Sequence, residues 1–202
     1  MTKYTYIVPH WAKAAFFWLA VTLAVLLVGM QIHKRWLFAE LLVENALRPE
    51  PSALGKAPDF ELAVLPGESK TSLVSAAAGK YTLIHFWATW CPPCRTEMPS
   101  LEMMAREFKG RLSVLAVSVD DNKDAVGRFF GDHWPELTVL WDPGKAVARQ
   151  YGAERFPESF LMDPQGLVLA RFGGQREWSS TEALSYLSEV LNGTRKAIRV
   201  TG

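Results

Sequence analysis

Apolar positions divide this chain into two unlike parts. Ala14 to Ile32 (AAFFWLAVTLAVLLVGMQI) contains no charged residue. At ~1.5 Å rise per residue, a helix of that length matches the ~30 Å hydrocarbon core of a bilayer. Lys13 precedes the run and His33-Lys34-Arg35 follow it, with Trp11 and Trp36 at the places of interfacial aromatic anchors. A cleaved signal would have a shorter apolar region and an A-x-A-like site directly after it, so an uncleaved anchor is expected. Lys3, Lys13 and the α-amino group are set against Lys34 and Arg35, so the positive-inside rule orients the segment only weakly. From Trp36 to Leu47 the pattern stays helical, and Pro49 and Pro51 end it.

After Leu54 the pattern becomes one of short strands and helices. Tyr81–Trp87 (YTLIHFW) and Leu112–Val119 (LSVLAVSV) are apolar, β-branched runs suited to buried strands, and Leu137–Trp141 is a third. Helical spacing runs from Pro92 to about Phe108, near Lys123 to Gly131, and from Ala146 to Tyr151. Ser159–Met162, the turn Asp163-Pro164-Gln165-Gly166 and Leu167–Phe172 predict a hairpin. A last helix from about Ser180 to Leu191 stops at Asn192-Gly193. Alternating strands and helices closed by a hairpin and a helix predict an α/β domain on a mixed central sheet. The expected organisation is a tail (1–13), a transmembrane helix (14–32), a juxtamembrane helix and linker (33–53), a globular domain (54–193) and a C-terminal tail (194–202).

Composition narrows the chemistry. The 202 residues carry a formal net charge of +1 and no long basic run, which offers nothing to a nucleic acid. The two cysteines, Cys91 and Cys94, would close so short a loop that a structural cross-link gains little. The four histidines (His10, His33, His85, His133) have no zinc-ligand spacing, so no metal is expected. Thiol–disulfide exchange is the chemistry that remains.

Exchange requires a thiolate, hence a cysteine of controlled pKa. Cys91 falls where a strand ends and a helix begins, with a helix dipole and free N–H groups at hand. It is the expected attacking thiol, and Cys94, three residues on and on the same face, the resolving one. Pro92 and Pro93 remove two N–H groups that would otherwise stabilise a Cys91 thiolate. That predicts a moderately lowered pKa and favours a reductant, because strong oxidants are those whose reduced form is stabilised. Glu97 lies three residues beyond Cys94, where it reads equally as a proton relay or as a first-turn acid favoured by the dipole. Pro157 precedes a strand and reads by frequency as a trans loop proline. His85 reads as a satisfied core residue, and Asp120-Asp121 as the solvated end of a strand.

Phe86-Trp87-Ala88-Thr89-Trp90-Cys91-Pro92-Pro93-Cys94 resembles the active-site signature of the membrane-anchored thioredoxin-like proteins of the TlpA/ResA/DsbE (CcmG) group. Ala57-Pro58-Asp59-Phe60 is similar to the lead-in of their extra N-terminal β-hairpin. Phe156-Pro157-Glu158-Ser159-Phe160, followed by Asp163 and Gly166, resembles their cis-proline loop. The likeness spans about Leu54 to Leu191. It implies a thioredoxin-like fold with an N-terminal β-hairpin extension behind one transmembrane helix. It implies catalytic Cys91, Cys94 and Glu97, and a substrate surface of Trp90, Pro92, Phe156 and cis-Pro157. No cofactor beyond the redox-active Cys91–Cys94 pair is expected. The resemblance further implies a single-pass inner-membrane protein with a periplasmic domain. Its partners would be disulfide-bearing proteins such as apocytochrome c and a DsbD/CcdA-type membrane electron donor. Alternatives are a periplasmic oxidant or isomerase, or a non-enzymatic copper(I)-handling protein using the Cys pair.

Overall fold

Why the site sits where it does follows from how one mixed sheet is assembled in the computed structural model. It describes residues 10–47, 49–50, 52–67 and 69–194, without the side chains of 10–14 and 36–46. The tails 1–9 and 195–202, Pro51 and the side chains of Trp11 and Trp36 lie outside the described residues.

Two compact units divide between Leu42 and Val43. The first consists of helix α1 (His10–Leu47, 38 residues) as far as Leu42. Its segment Ala15–Arg35 is long and apolar enough to cross a membrane, and its described side chains are exposed apart from half-buried Val21. The apolar segment and the stretch after it form one continuous helix that runs through His33-Lys34-Arg35, with no proline inside to break it.

In the second unit the elements are β1 (Glu61–Leu65), β2 (Lys70–Ser72), α2 (Leu73–Ala77), β3 (Tyr81–Trp87), α3 (Pro92–Glu107), β4 (Leu112–Ser118) and α4 (Lys123–Phe130). They continue with β5 (Thr138–Trp141), a 3₁₀ turn (Pro143–Lys145), α5 (Ala146–Gln150), β6 (Glu158–Met162), β7 (Val168–Gly173) and α6 (Thr181–Leu191). The sheet order is β2-β1-β5-β4-β3-β6-β7. β3 runs parallel to β4, and β4 to β5, while β6 and β7 close one side antiparallel and the β1–β2 hairpin the other. β3 and β4 occupy the middle, which is why they are nearly continuous apolar runs. β3 is buried from Thr82 through Trp87.

Large aromatic residues lock the helices onto the sheet. Trp87 packs against Phe129 and Phe130 of α4, and Phe172 of β7 against Trp178 and Tyr186. Each such side chain removes ~150–250 Å² from water. The segment read as a linker up to residue 53 is part of this packing. Leu47 is buried, its carbonyl accepts from Arg176 Nε (2.7 Å), and Glu50 pairs with Arg171 through both backbone groups (2.7 and 3.0 Å).

Candidate active site

Cys91 is the N-cap of α3, with extended backbone angles and a sulfur that accepts the Cys94 N–H at 3.3 Å. Pro92 and Pro93 fill the next two positions and bring no N–H, so Cys94 supplies the first amide that can reach the sulfur. The two cysteines form a disulfide with Cα atoms 5.3 Å apart. Cys91 is 5% exposed and Cys94 is fully buried, an asymmetry set by one helical turn. Cys91 is the less buried of the two.

Cys91 is held from two further directions. The Phe156–Pro157 peptide is cis, and the Phe156 carbonyl oxygen lies 3.6 Å from Cys91 Sγ. The Pro157 carbonyl accepts the Gly174 N–H (2.9 Å), which ties this loop to the end of β7. Phe156 also meets Trp90 edge to face at 6.1 Å, and Lys145 Nζ stands 5.2 Å from the Trp90 ring centroid. Trp90 is 56% exposed and Pro92 is exposed, so an aromatic and proline surface borders the disulfide. A recess of about 520 Å³ next to Phe156 is lined by Glu50, Glu154, Arg155, Glu158 and Arg171.

Asp120 anchors the segment before Cys91 and is not the solvated strand end its position in the sequence suggests. It is buried. Its carboxylate accepts from Thr89 Oγ1 (2.6 Å), the Thr89 N–H (3.0 Å) and Ser118 Oγ (2.8 Å). Three donors on one carboxylate satisfy it in place of water. The partner lies thirty-one residues away, and only a polar residue ending an apolar strand hinted at it.

Beneath α3 lies a second polar group. Glu97 is 2% exposed, and its Oε1 accepts the indole N–H of Trp178. Ser100 Oγ accepts the Trp178 backbone N–H at 3.1 Å and donates to the Glu97 carbonyl at 2.9 Å. Burial raises the Glu97 pKa to about 7, against smaller opposing effects of Trp178 and Arg176. Glu97 is therefore not a solvated first-turn acid.

His85 of β3 is fully buried, with Nδ1 2.8 Å from Ser159 Oγ and 3.9 Å from Glu97 Oε1. It is a core histidine as expected, but satisfied at one ring nitrogen, since Nε2 has no partner among the described residues. Burial lowers its pKa to about 3. The other buried carboxylate near the loop, Glu158, is paired with Arg171, and burial raises its pKa. The structure thus brings all the expected site residues to the N-terminal half of α3 and the loop facing it. It adds Thr89, Asp120, His85, Ser159 and Trp178 behind them. Chemically the arrangement offers an outer sulfur at the start of α3, a fully buried one a turn inside, and a carboxyl group of raised pKa one turn beyond that.

The chain is similar to known proteins in sequence and in fold. A profile of the AhpC/TSA family matches residues 54–171. Thioredoxin-like protein YneN of Bacillus subtilis is 33% identical over 154 residues, covering 75% of this chain and 86% of that protein. A thiol:disulfide interchange protein DsbE homolog of Paracoccus denitrificans is 35% identical over 144 residues, 68% of this chain and 78% of its own length. Among solved structures, a Chlorobium tepidum protein described as a thiol:disulfide interchange protein DsbE superposes with a TM-score of 0.62 at 31% identity. That match covers 70% of this chain and 99% of the other.

Proposed function

Because the chain belongs to the AhpC/TSA family and is a thiol:disulfide oxidoreductase of the DsbE/ResA type, we propose that it acts as a membrane-tethered reductant of protein disulfides. In the reaction, the Cys91 thiolate attacks one sulfur of the substrate disulfide. A Cys91–substrate disulfide forms and the other substrate sulfur leaves as a thiolate. Cys94 gives its proton to the Glu97 carboxylate and attacks Cys91 Sγ. The second substrate sulfur is released, and the Cys91–Cys94 disulfide now holds the electron deficit. A dithiol of a membrane electron carrier, of the DsbD/CcdA class, restores the reduced pair.

The observation that carries this reading is the asymmetry of the pair: Cys91 at the rim beside cis-Pro157, Cys94 fully buried. Trp90, Pro92, Phe156 and Pro157 form the surface on which an extended substrate segment would lie. The reducing direction rests on Pro92 and Pro93, which deprive the Cys91 thiolate of two amide donors and so leave the reduced form without extra stabilisation. The Pro157-Glu158-Ser159 loop supports apocytochrome c as the substrate. The apolar segment of α1 supports a single-pass inner-membrane anchor with the domain in the periplasm, the compartment where disulfides arise.

Cys94→Ser in the full chain tests the reading, because it should leave the substrate covalently held on Cys91. Mixed disulfides containing apocytochrome c are the expected catch. Trapped species without apocytochrome remove the cytochrome assignment, and no trapped species at all removes Cys91 attack.

A further inference from the structure

His85 takes no part in the scheme above, yet it is a buried titratable group in contact with the one carboxyl that does. The antiparallel pairing of β3 with β6 places His85 opposite Ser159, two residues after cis-Pro157. This register brings Nδ1 to 2.8 Å from the Ser159 hydroxyl and 3.9 Å from Glu97 Oε1. The second distance is too long for a hydrogen bond and short enough for a strong charge–dipole interaction in a dry interior.

The imidazole has one proton to place when neutral. On Nε2 it would be a buried donor with no acceptor among the described residues, and the Nδ1 lone pair would face the carboxyl oxygen. On Nδ1 it has Ser159 Oγ as acceptor, and the positive end of the ring dipole points toward Glu97. The polar contacts around the ring therefore select the Nδ1–H tautomer.

We propose that His85, oriented by Ser159, is a positioning residue that holds its Nδ1–H toward Glu97 and thereby keeps Glu97 able to take the proton of Cys94. The inference rests on the reading of Glu97 as that proton acceptor. Without the ring dipole, a carboxylate buried at this depth loses its nearest compensation on the β3 side and binds its proton more tightly. The other charged groups that act on Glu97, Arg176 and Glu177, come from the segment before α6 and oppose one another. Trp178 from that segment donates to the same oxygen, and from β6 the neutral Ser159 hydroxyl is hydrogen-bonded to the ring.

The resolving step can be followed directly. The reduced full-length chain in detergent micelles is mixed with 5,5′-dithiobis(2-nitrobenzoate). Cys91 captures one thionitrobenzoate and releases the other. Attack of Cys94 on Cys91 Sγ then forms the intramolecular disulfide and expels the second. The rate of this second release should rise with pH through an inflection near 7, where Glu97 ionises. In His85→Leu and Ser159→Ala the inflection should move up by about half a unit, making release at pH 6.5 about threefold slower and at pH 9 unchanged. His85→Asn, whose amide N–H can replace Nδ1–H, should restore most of the rate. An inflection unmoved in both His85→Leu and Ser159→Ala overturns the proposal, whatever the variants' melting temperatures. Should His85→Leu not fold, Ser159→Ala alone decides. ¹⁵N spectra of the unsubstituted chain give a second reading, since an Nε2–H tautomer also overturns it. Glu97→Gln separates the two levels. If its inflection equals that of the unsubstituted chain, the Glu97 reading falls. If it is lost while the His85 and Ser159 variants are unmoved, only the role of His85 falls.

Discussion

Thr89 and Asp120 show how a single carboxylate can aim a thiol it does not touch. The Asp120 side chain fixes both donors of Thr89, two residues before Cys91, and the Cys91 N–H in turn bonds the Ala88 carbonyl at 3.2 Å. Asp120→Ala removes the acceptor of both donors of half-buried Thr89, a loss of about 1 kcal/mol. Denaturant titration should show that loss, together with slower capture of a disulfide probe by Cys91. Full stability in the variant would mean that the Thr89 donors find other partners. Lys145 adds a second local effect. Its ammonium lies over Trp90 beside the disulfide, so Lys145→Glu should slow reduction of substrates with acidic residues flanking the cysteine. Raised salt should shrink the difference between the variant and the original, which a comparison at two ionic strengths reads.

Between elements, the packing of α3 on β3 and β6 encloses two titratable groups whose pH effects on stability oppose each other. Glu97 moves from 4.5 to about 7 on folding, so the native state holds a proton the unfolded chain has lost, and stability falls as pH rises from about 4.5 to about 7. His85 moves from 6.5 to about 3, so the unfolded chain takes a proton the native state refuses, and stability falls as pH drops from about 6.5 toward 3. In their shared window, about pH 4.5 to 6.5, the two slopes cancel. Glu97→Gln should unmask the His85 slope, with stability rising with pH by up to about 1.4 kcal/mol per unit. His85→Asn should give the opposite sign, and urea midpoints at pH 5 and 6.5 check both. Much at this scale was legible in the sequence. The apolar run YTLIHFW, the proline-led helix after Cys91 and the Asp163–Gly166 turn mark β3, α3 and the β6–β7 hairpin within a residue or two. Such elements declare themselves because burial imposes a period on neighbouring residues. The contacts of Asp120, His85 and Trp178 were not legible, since their partners lie thirty-one, seventy-four and eighty-one residues away. No local pattern records a register between strands or the depth of one acid under a helix. Glu50 is a similar case: the prolines around it suggest a linker, and only the sheet edge at Arg171 makes it part of the domain.

At the scale of the whole molecule, a helix apolar over Ala15–Arg35 precedes a domain whose redox pair has Cys91 as its less buried member. If the segment is an anchor, the full chain stays with sedimented membranes in alkaline carbonate and a chain lacking residues 14–32 does not. Release of the full chain by carbonate would contradict it. What the domain does at the membrane depends on the direction in which Cys91 and Cys94 run, and that direction was inferred from Pro92 and Pro93. Equilibrating the full-length protein with glutathione buffers and quantifying the reduced Cys91–Cys94 pair measures it directly. A reductant of protein disulfides should give a potential below about −200 mV. A value near −120 mV, where dedicated periplasmic oxidants lie, or a pair that does not interconvert would contradict the account.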